Sequence, residues 1–370
     1  MVVQGGNDAS GRVTITDVAR EAGVSVATVS KVVNGRYGVA PATQKAVLAV
    51  VERLGYVSSL GASSLRQGAT NVIGVLLAGF ESYSAEILKG ISMAAVGRGY
   101  QLLAYSGAIA DPWTVGWEKR SISQLGGTII DGAIIITPTV ALPRTKMPIV
   151  AIDPPHSSPE AKEDDGADPP AATLPPDEPP YVESDSFSGA KYAVEYLIAL
   201  GHRKIGHIRG RLDLDSAHKR ELGWRTALQE NGIEPVTSWL GDGGYFRPWA
   251  YEAAMKMLES ADRPTAIFAA NDQSAFGVLD AARQLGLAVP LDLSVIGYDD
   301  TPEAALSAPP LTTVAQPLQE IGAQAFDMVF DLLNGVPVPD HVEVPAKVVI
   351  RASAAPPPGV AGLSEAVEYS

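Results

Sequence analysis

Residues 14–34, TITDVAREAGVSVATVSKVVN, restrict the fold more than any other stretch of the chain: they spell two short amphipathic helices joined by a glycine turn. Thr14 can cap the first helix with its hydroxyl while Asp17, three residues on, reaches back to complete a capping box. Val18, Ala19 and Ala22 give a narrow face of small apolar side chains across which a second helix can pack closely. Gly23 ends the first helix, because a tight turn between crossed helices needs a residue that tolerates positive φ. Ser25 can cap the next helix, Val29, Val32 and Val33 supply its buried stripe, and Val24 fills the space between the two. Val26, Ala27, Thr28, Ser30 and Lys31 are left to face a groove, the layout of a helix-turn-helix that reads duplex DNA.

The residue pattern is narrower than that general layout. It resembles the N-terminal signature of the lactose-repressor (LacI/GalR) family of bacterial transcription regulators, close to T-I-x-D-V-A-x-x-A-G-V-S-x-x-T-V-S-x-V-x-N, and matches nearly every fixed position. The resemblance implies base readout by Val26, Ala27 and Lys31. It gives Thr28, Ser30 and Asn34 the task of contacting phosphate or setting the helix, with Thr14 and Ser25 completing the DNA-binding set. Val26 and Ala27 can offer only apolar contact, for instance to thymine methyl groups, whereas Lys31 can donate to guanine. Pro41, Thr43, Val47, Leu54, Gly55 and Tyr56 are similar to the family's third helix and its exit. Ala40 stands where relatives usually offer a serine or threonine cap, a loss of about 1 kcal/mol.

SSLGASSLRQG, residues 58–68, is similar to the family's hinge segment, which turns helical when two copies meet over the DNA minor groove. Ala62 and Leu65 match that motif, and the resemblance implies that Leu65 wedges between base pairs and kinks the duplex. Taken as composition alone, the same eleven residues are a flexible linker. Ser58 replaces a common proline and Gly61 adds a helix-breaking cost, so this hinge is expected to fold less readily than most.

Charge supports the division. The whole chain carries −14, yet residues 12–66 hold seven lysines and arginines against three acids, so the headpiece is basic and the body acidic. Phosphate contact requires the first, and the second discourages non-specific adhesion to the duplex. Cysteine is absent, which excludes disulfides and thiolate metal sites. The opening MVVQGGNDASGR has no secretory pattern, and no run approaches the roughly 18 apolar residues of a membrane span. A cytoplasmic protein without membrane contact is expected.

From residue 71 short apolar runs alternate with amphipathic stretches: NVIGVLL, a helix from about Ser84 to Gly97, QLLAYSG, a helix near Thr114 to Leu125, DGAIIIT and PIVAID. Continuous Val/Ile/Leu runs are the mark of parallel strands covered on both faces. The alternation resumes at Asp185 with KIGHIRG, AIFAAN, SVIGYDD and their intervening helices, then LTTVAQP, a helix from Leu318 to Asn334 and a closing strand HVEVPAKVVI. The fold class expected is an all-α helix-turn-helix headpiece plus an α/β core of two doubly wound lobes, periplasmic-binding-protein-like. The expected divisions are a tail to residue 12, the headpiece at 13–57, the hinge at 58–70 and the core at 71–353. Lobe 1 takes about 71–181 and 315–337, and lobe 2 about 182–314 and 338–353; by resemblance the closing helix returns to the first lobe and the last strand to the second. The 27 residues 154–180 hold nine prolines and seven acids and read as an inserted loop, and residues 354–370 read as a disordered tail.

In doubly wound lobes ligands gather at the carboxyl ends of strands. SAHKRELGW, residues 216–224, resembles the family element S-A-x-x-R-x-x-G-[YFW], which places Arg220 in an effector cleft with a fork of donors for sugar hydroxyls or a carboxylate. AANDQSAFG, residues 269–277, matches A-x-N-D-x-x-A-x-G, which implies that Asp272 accepts hydrogen bonds from ligand hydroxyls beside Asn271; an Asn-Asp pair at a strand end can also merely cap the next helix. Tyr245 falls where relatives stack an aromatic on the ligand, and Tyr83 looks like a second pocket aromatic, with ordinary packing as the alternative for both. Asp299 and Asp300, in GYDD, read as loop-ordering groups first and ligand contacts second. His202 and His207 are too isolated for a metal site. No nucleophile elbow, Walker loop or dinucleotide fingerprint appears, so neither catalysis nor a cofactor is expected.

The expectation is therefore a homodimeric regulator, with a tetramer as the alternative, most simply a repressor. It would bind pseudo-palindromic operator DNA under control of a small-molecule effector, a sugar first, with nucleobases and other metabolites open. A transporter's sugar-binding protein would share the two lobes but needs an export signal and no headpiece; an enzyme on this scaffold would need a phosphate loop or nucleophile.

Overall fold

The computed structural model describes residues 13–33, 38–56, 69–107, 114–142, 144–156 and 178–358, and the chain divides into two units between Thr70 and Asn71. The expectations for Asn34, for Ala62 and Leu65 in the hinge, for the middle of the inserted loop and for residues 1–12 and 359–370 lie outside the described residues, and the tail expected to be disordered from 354 is corrected at its start, where Ala355 N–H donates to Ser294 Oγ at 3.0 Å.

In the first unit the capping box forms: Asp17 N–H donates to Thr14 Oγ1 at 3.3 Å and Thr14 N–H to Asp17 Oδ2 at 2.9 Å, which starts α1 (Ile15–Ala22). Gly23 closes it at φ 65°, a left-handed conformation open to glycine at no steric cost. Ser25 Oγ accepts from Thr28 N–H at 3.1 Å and caps α2 (Val26–Val33). The third helix, α3 (Pro41–Leu54), begins at Ala40 without a side-chain cap, and Pro41 takes the first-turn position where a missing N–H costs nothing. Val18, Ala19, Val29, Val32 and Val47 form the shared core, with Val24 and Val33 half-buried against it.

The second unit holds two six-stranded sheets. The first is built from β1 (Val72–Leu77), β2 (Gln101–Ser106), β3 (Gly132–Ile136), β4 (Ile149–Ile152), β5 (Tyr181–Ser184) and β11 (His341–Val344), in the order β2-β1-β3-β4-β5-β11, parallel throughout. The second contains β6 (Ile205–Arg209), β7 (Leu240–Asp242), β8 (Ala266–Ala269), β9 (Ser294–Asp299), β10 (Thr312–Ala315) and β12 (Lys347–Val349). Its order is β7-β6-β8-β9-β10-β12, and β12 alone runs antiparallel. Strands β1, β3, β4, β8 and β9 are buried along their whole length, because helices cover both faces. The covering helices include α4 (Ser82–Ala95), α5 (Trp117–Leu125), α6 (Ser186–Ala199), α7 (Asp215–Glu230), α8 (Arg247–Leu258), α9 (Asp272–Gln284) and α11 (Leu318–Leu333), with the short α10 (Pro302–Leu306) after β9.

Two sequence boundaries need correction. HVEVPAKVVI is two strands rather than one: β11 pairs with β5 in the first sheet and β12 with β10 in the second. The break falls at Pro345 and Ala346, where proline has no N–H for a ladder and the chain changes sheets. Consequently residues 338–353 do not all belong to the second lobe, and the first lobe extends to Ser184 rather than 181. The chain crosses between lobes three times, after β5, after β10 and after β11.

Helices α4 and α11 meet backbone to backbone. A Cβ on Gly322 would lie 2.3 Å from Ile87 O, and one on Gly90 would lie 1.9 Å from Gln319 O, so both glycines are there for close approach. Gly322→Ala should therefore lower stability by about 1–3 kcal/mol through forced separation of the pair. An unchanged urea midpoint would refute that packing.

His207 lies fully buried between Trp224 and Phe268, with Nδ1 donating to Phe268 O at 2.9 Å. Burial pushes its pKa down to about 4, against the hydrogen bond to Phe268 O, which raises it. A histidine with a depressed folded value is protonated first in the unfolded chain, so its contribution is intact above about pH 6.5 and drains away as pH falls toward 4. His207→Leu should abolish about 3 kcal/mol of acid-dependent destabilisation in that window. Urea titrations at pH 7.5 and 4.5 read it out, and parallel losses in both proteins would count against the assignment.

Candidate functional site

On the headpiece, α2 presents Ala27 and Lys31 one turn apart and exposed, the spacing at which two side chains share a helix face. Thr28 and Ser30 are half-buried beside them. Val26 is half-buried as well and packs its side chain against the headpiece core. Thr14 and Ser25 are exposed, but their hydroxyls are engaged in the two caps.

The second unit contains a cavity of about 450 Å³ lined from both sheets. Several contributors mark the ends of strands: Thr137 follows β3, Asp153 follows β4, Arg211 comes after β6, Asn271 comes after β8, and Asp299 is the last residue of β9. Thr137, Asp153, Tyr245 and Asp299 all line it with positive φ, at 49°, 52°, 61° and 116°. Such conformations are costly for residues with a Cβ and gather where side-chain direction matters.

Arg220, only 3% exposed, anchors the cavity. Its Nη1 donates to Ala270 O at 2.6 Å, its guanidinium lies 3.8 Å from the Tyr298 ring centroid and 5.6 Å from that of Tyr245, and Asp299 Oδ1 stands 3.8 Å away. Burial opposes its charge, but the two tyrosines together with Asp299 and Asp153 hold its pKa above the ordinary arginine value. Burial raises the pKa of Asp153, against the hydrogen bond donated by Tyr83. Asp299 is likewise raised by burial, with Arg220 opposing, and Gln316 Nε2 donates to it at 2.7 Å. Tyr245 lies directly over Gly210, where a Cβ would come within 2.2 Å of its ring, and its hydroxyl shares a hydrogen bond with Ser216 at 3.0 Å. The remaining arginines are tied to carboxylates: Arg211 to Asp213 at 3.0 Å and Arg247 to Asp280 at 2.7 Å. What faces the space is therefore a balanced mixture of donors and acceptors between aromatic walls.

The structure brings Tyr83, Arg220, Tyr245 and Asn271 together around this cavity and leaves Asp272 out. Asp272 is wholly buried, with its carboxylate accepting from Thr301 N–H at 2.8 Å, Thr301 Oγ1 at 3.1 Å and Thr313 Oγ1 at 2.6 Å. Burial pushes its pKa up to about 7 against those donors. It closes the junction of β9, β10 and α9 rather than meeting a ligand. Asn271 partly follows the bland alternative, since its Oδ1 caps α9 through Ser274 N–H at 2.8 Å. Asp299, expected mainly to order its loop, is one of the carboxylates that line the cavity. Asp153 was missed, although its place directly after an apolar run was the one available signal.

Glu183, His341 and Glu343 approach one another at a spacing suited to a metal ion, but Lys219 Nζ already occupies both oxygens of Glu183 at 2.7 and 2.8 Å. Among the described residues no helix is long and apolar enough to cross a membrane.

Because three donors converge on Asp272, Asp272→Ala should destabilise the core by about 3 kcal/mol or more, leaving buried partners unsatisfied. Thermal unfolding checks this, and a variant of native stability with altered ligand affinity alone would return Asp272 to the cavity wall.

Known proteins share this arrangement. Residues 14–59 match the family described as bacterial regulatory proteins, lacI family, and residues 194–354 match a periplasmic binding protein-like domain. The chain is 34% identical over 354 residues to the HTH-type transcriptional repressor PurR of Edwardsiella ictaluri, covering 93% of this chain and 98% of that protein. It is 33% identical over 351 residues to catabolite control protein A of Priestia megaterium, covering 92% and 99%. A solved Lac repressor dimer bound to operator and the anti-inducer ONPF is similar at 28% identity and a TM-score of 0.73, covering 93% of this chain and 99% of that one. A complex of the transcriptional regulator CelR with cellobiose is similar at 27% identity and a TM-score of 0.65, covering 93% and 100%. With a third of its residues shared along almost the entire length of such repressors, the chain belongs to the LacI family of bacterial regulatory proteins.

Proposed function

We propose that this protein is a cytoplasmic, homodimeric repressor of transcription whose α2 helices read a pseudo-palindromic operator and whose cavity binds a neutral, polyhydroxylated molecule, a sugar first. The observation that carries the effector reading is the cavity lining. Arg220 offers a planar fork of donors, Asp153 and Asp299 offer acceptors within the same space, and Tyr83 and Tyr245 supply aromatic surface. A sugar ring needs this combination, because its hydroxyls both give and take hydrogen bonds while its C–H faces stack on aromatic rings. A cellobiose complex among the similar structures supports the same class.

The proposed mechanism is two-state. Effector bound between the lobes favours one of their arrangements, and a coupling of about 1–3 kcal/mol is enough for a 5- to 150-fold change in operator affinity. Two-fold symmetry of the dimer imposes the palindrome.

Selection of binding sites from randomised duplexes, followed by titration of a sugar panel against the selected site, tests both halves. A preferred palindrome and a sugar-dependent change in affinity are expected. A flat response across the panel would remove the sugar assignment while leaving DNA reading intact. Lys31→Ala should weaken binding to the selected site by about 1–3 kcal/mol and relax preference at one base pair. Equal affinity and an equal footprint would show that Lys31 does not read a base.

A further inference from the structure

The chain leaving β4 does not stay with its own lobe. Asp153 lines the cavity, and the next three residues reach the other lobe: Pro155 forms an isolated antiparallel bridge with Leu214, and His156 N–H donates to Asp213 O at 2.9 Å. The His156 side chain adds two more contacts there. Its Nδ1 donates to Asp215 Oδ1 at 3.0 Å, and its ring stacks on that of His218 with centroids 3.8 Å apart and planes inclined by 24°. Asp215 is in turn held by Lys219 at 3.0 Å, and Lys219 reaches back to Glu183 of β5 at 2.7 Å, so α7 is tied to the first lobe at two points.

The same short stretch of α7 carries Ser216 and Arg220 into the cavity, and Leu214 just before it forms part of the wall. Strap and ligand groups thus share one piece of backbone on each lobe: Asp153 with His156 on the first, Ser216 and Arg220 with Asp215 and His218 on the second. We propose that Pro154–His156 is a clasp that closes one side of the cavity, and that His156 and His218 are positioning residues which hold Asp153 within reach of the ligand that Arg220 binds. The clasp's part in effector capture rests on the cavity being the effector site; the clasp itself does not. Ring stacking is its decisive element, because both histidine side chains are half-buried and each belongs to a different lobe.

The absence of cysteine makes the test direct. Cysteines replacing the exposed Arg120 on α5 and Glu259 after α8 carry one spin label on each lobe. Doubly labelled full-length chains are diluted with excess unlabelled chain so that each pair reports a single protomer. Without any small molecule present, the parent should give one short interlobe distance, His218→Ala should add a longer population, and His218→Phe, which keeps a ring, should return to the parent distribution. Identical distributions for the parent and His218→Ala would overturn the clasp, as would opening by His218→Phe equal to that by His218→Ala. Because no effector enters the measurement, a failed clasp is distinguishable from a cavity that binds no sugar.

Discussion

A buried guanidinium organises the core of this protein. Arg220 is almost inaccessible, and an arginine cannot shed its charge in such a place, so the surroundings must compensate it. They do so with a strand-end carbonyl, the faces of two tyrosines and carboxylates contributed by both lobes. The charge is satisfied, yet the groups that satisfy it border open space. A cavity built this way is polar enough to hold hydroxyls and enclosed enough for those hydrogen bonds to outweigh their equivalents in water.

The remaining walls follow from strand geometry. Parallel strands covered on both faces leave only their carboxyl ends available to polar groups, and two such sheets bring two sets of ends to one cavity. The last residues of these strands must then turn sharply, and several non-glycine residues do so with positive φ. That strain persists because the flanking strands are buried and fixed. Three crossings join the two sheets, and the His156 strap and the Lys219 ion pairs add further ties between them.

The headpiece was almost wholly legible from its residues. Thr14 with Asp17, Gly23, Ser25 and the uncapped Ala40 are local devices whose partners lie within a few positions, and each appears as expected. Strand runs and covering helices were legible for the same reason, because burial on two faces writes itself as an unbroken apolar segment. Short elements were not. Strands β5 and β7 and helix α10 are too brief for a period to show, and β11 and β12 abut in sequence though they lie in different sheets.

Local order, the class of fold and the helix-turn-helix of the headpiece were determined by the sequence itself, since capping, periodicity and turn chemistry act over a few residues. Tertiary structure alone decided which acids face the cavity. Asp272 and Asp299 both close a motif at a strand end, but Thr301 and Thr313, 29 and 41 residues beyond Asp272, draw its carboxylate inward, while a backbone at φ 116° turns Asp299 toward Arg220. The pairing of His156 with His218 has the same character, for it joins side chains from two lobes that no sequence period connects. Hydrogen bonds between distant segments carry no local signature, so their outcome emerges only once the chain has packed.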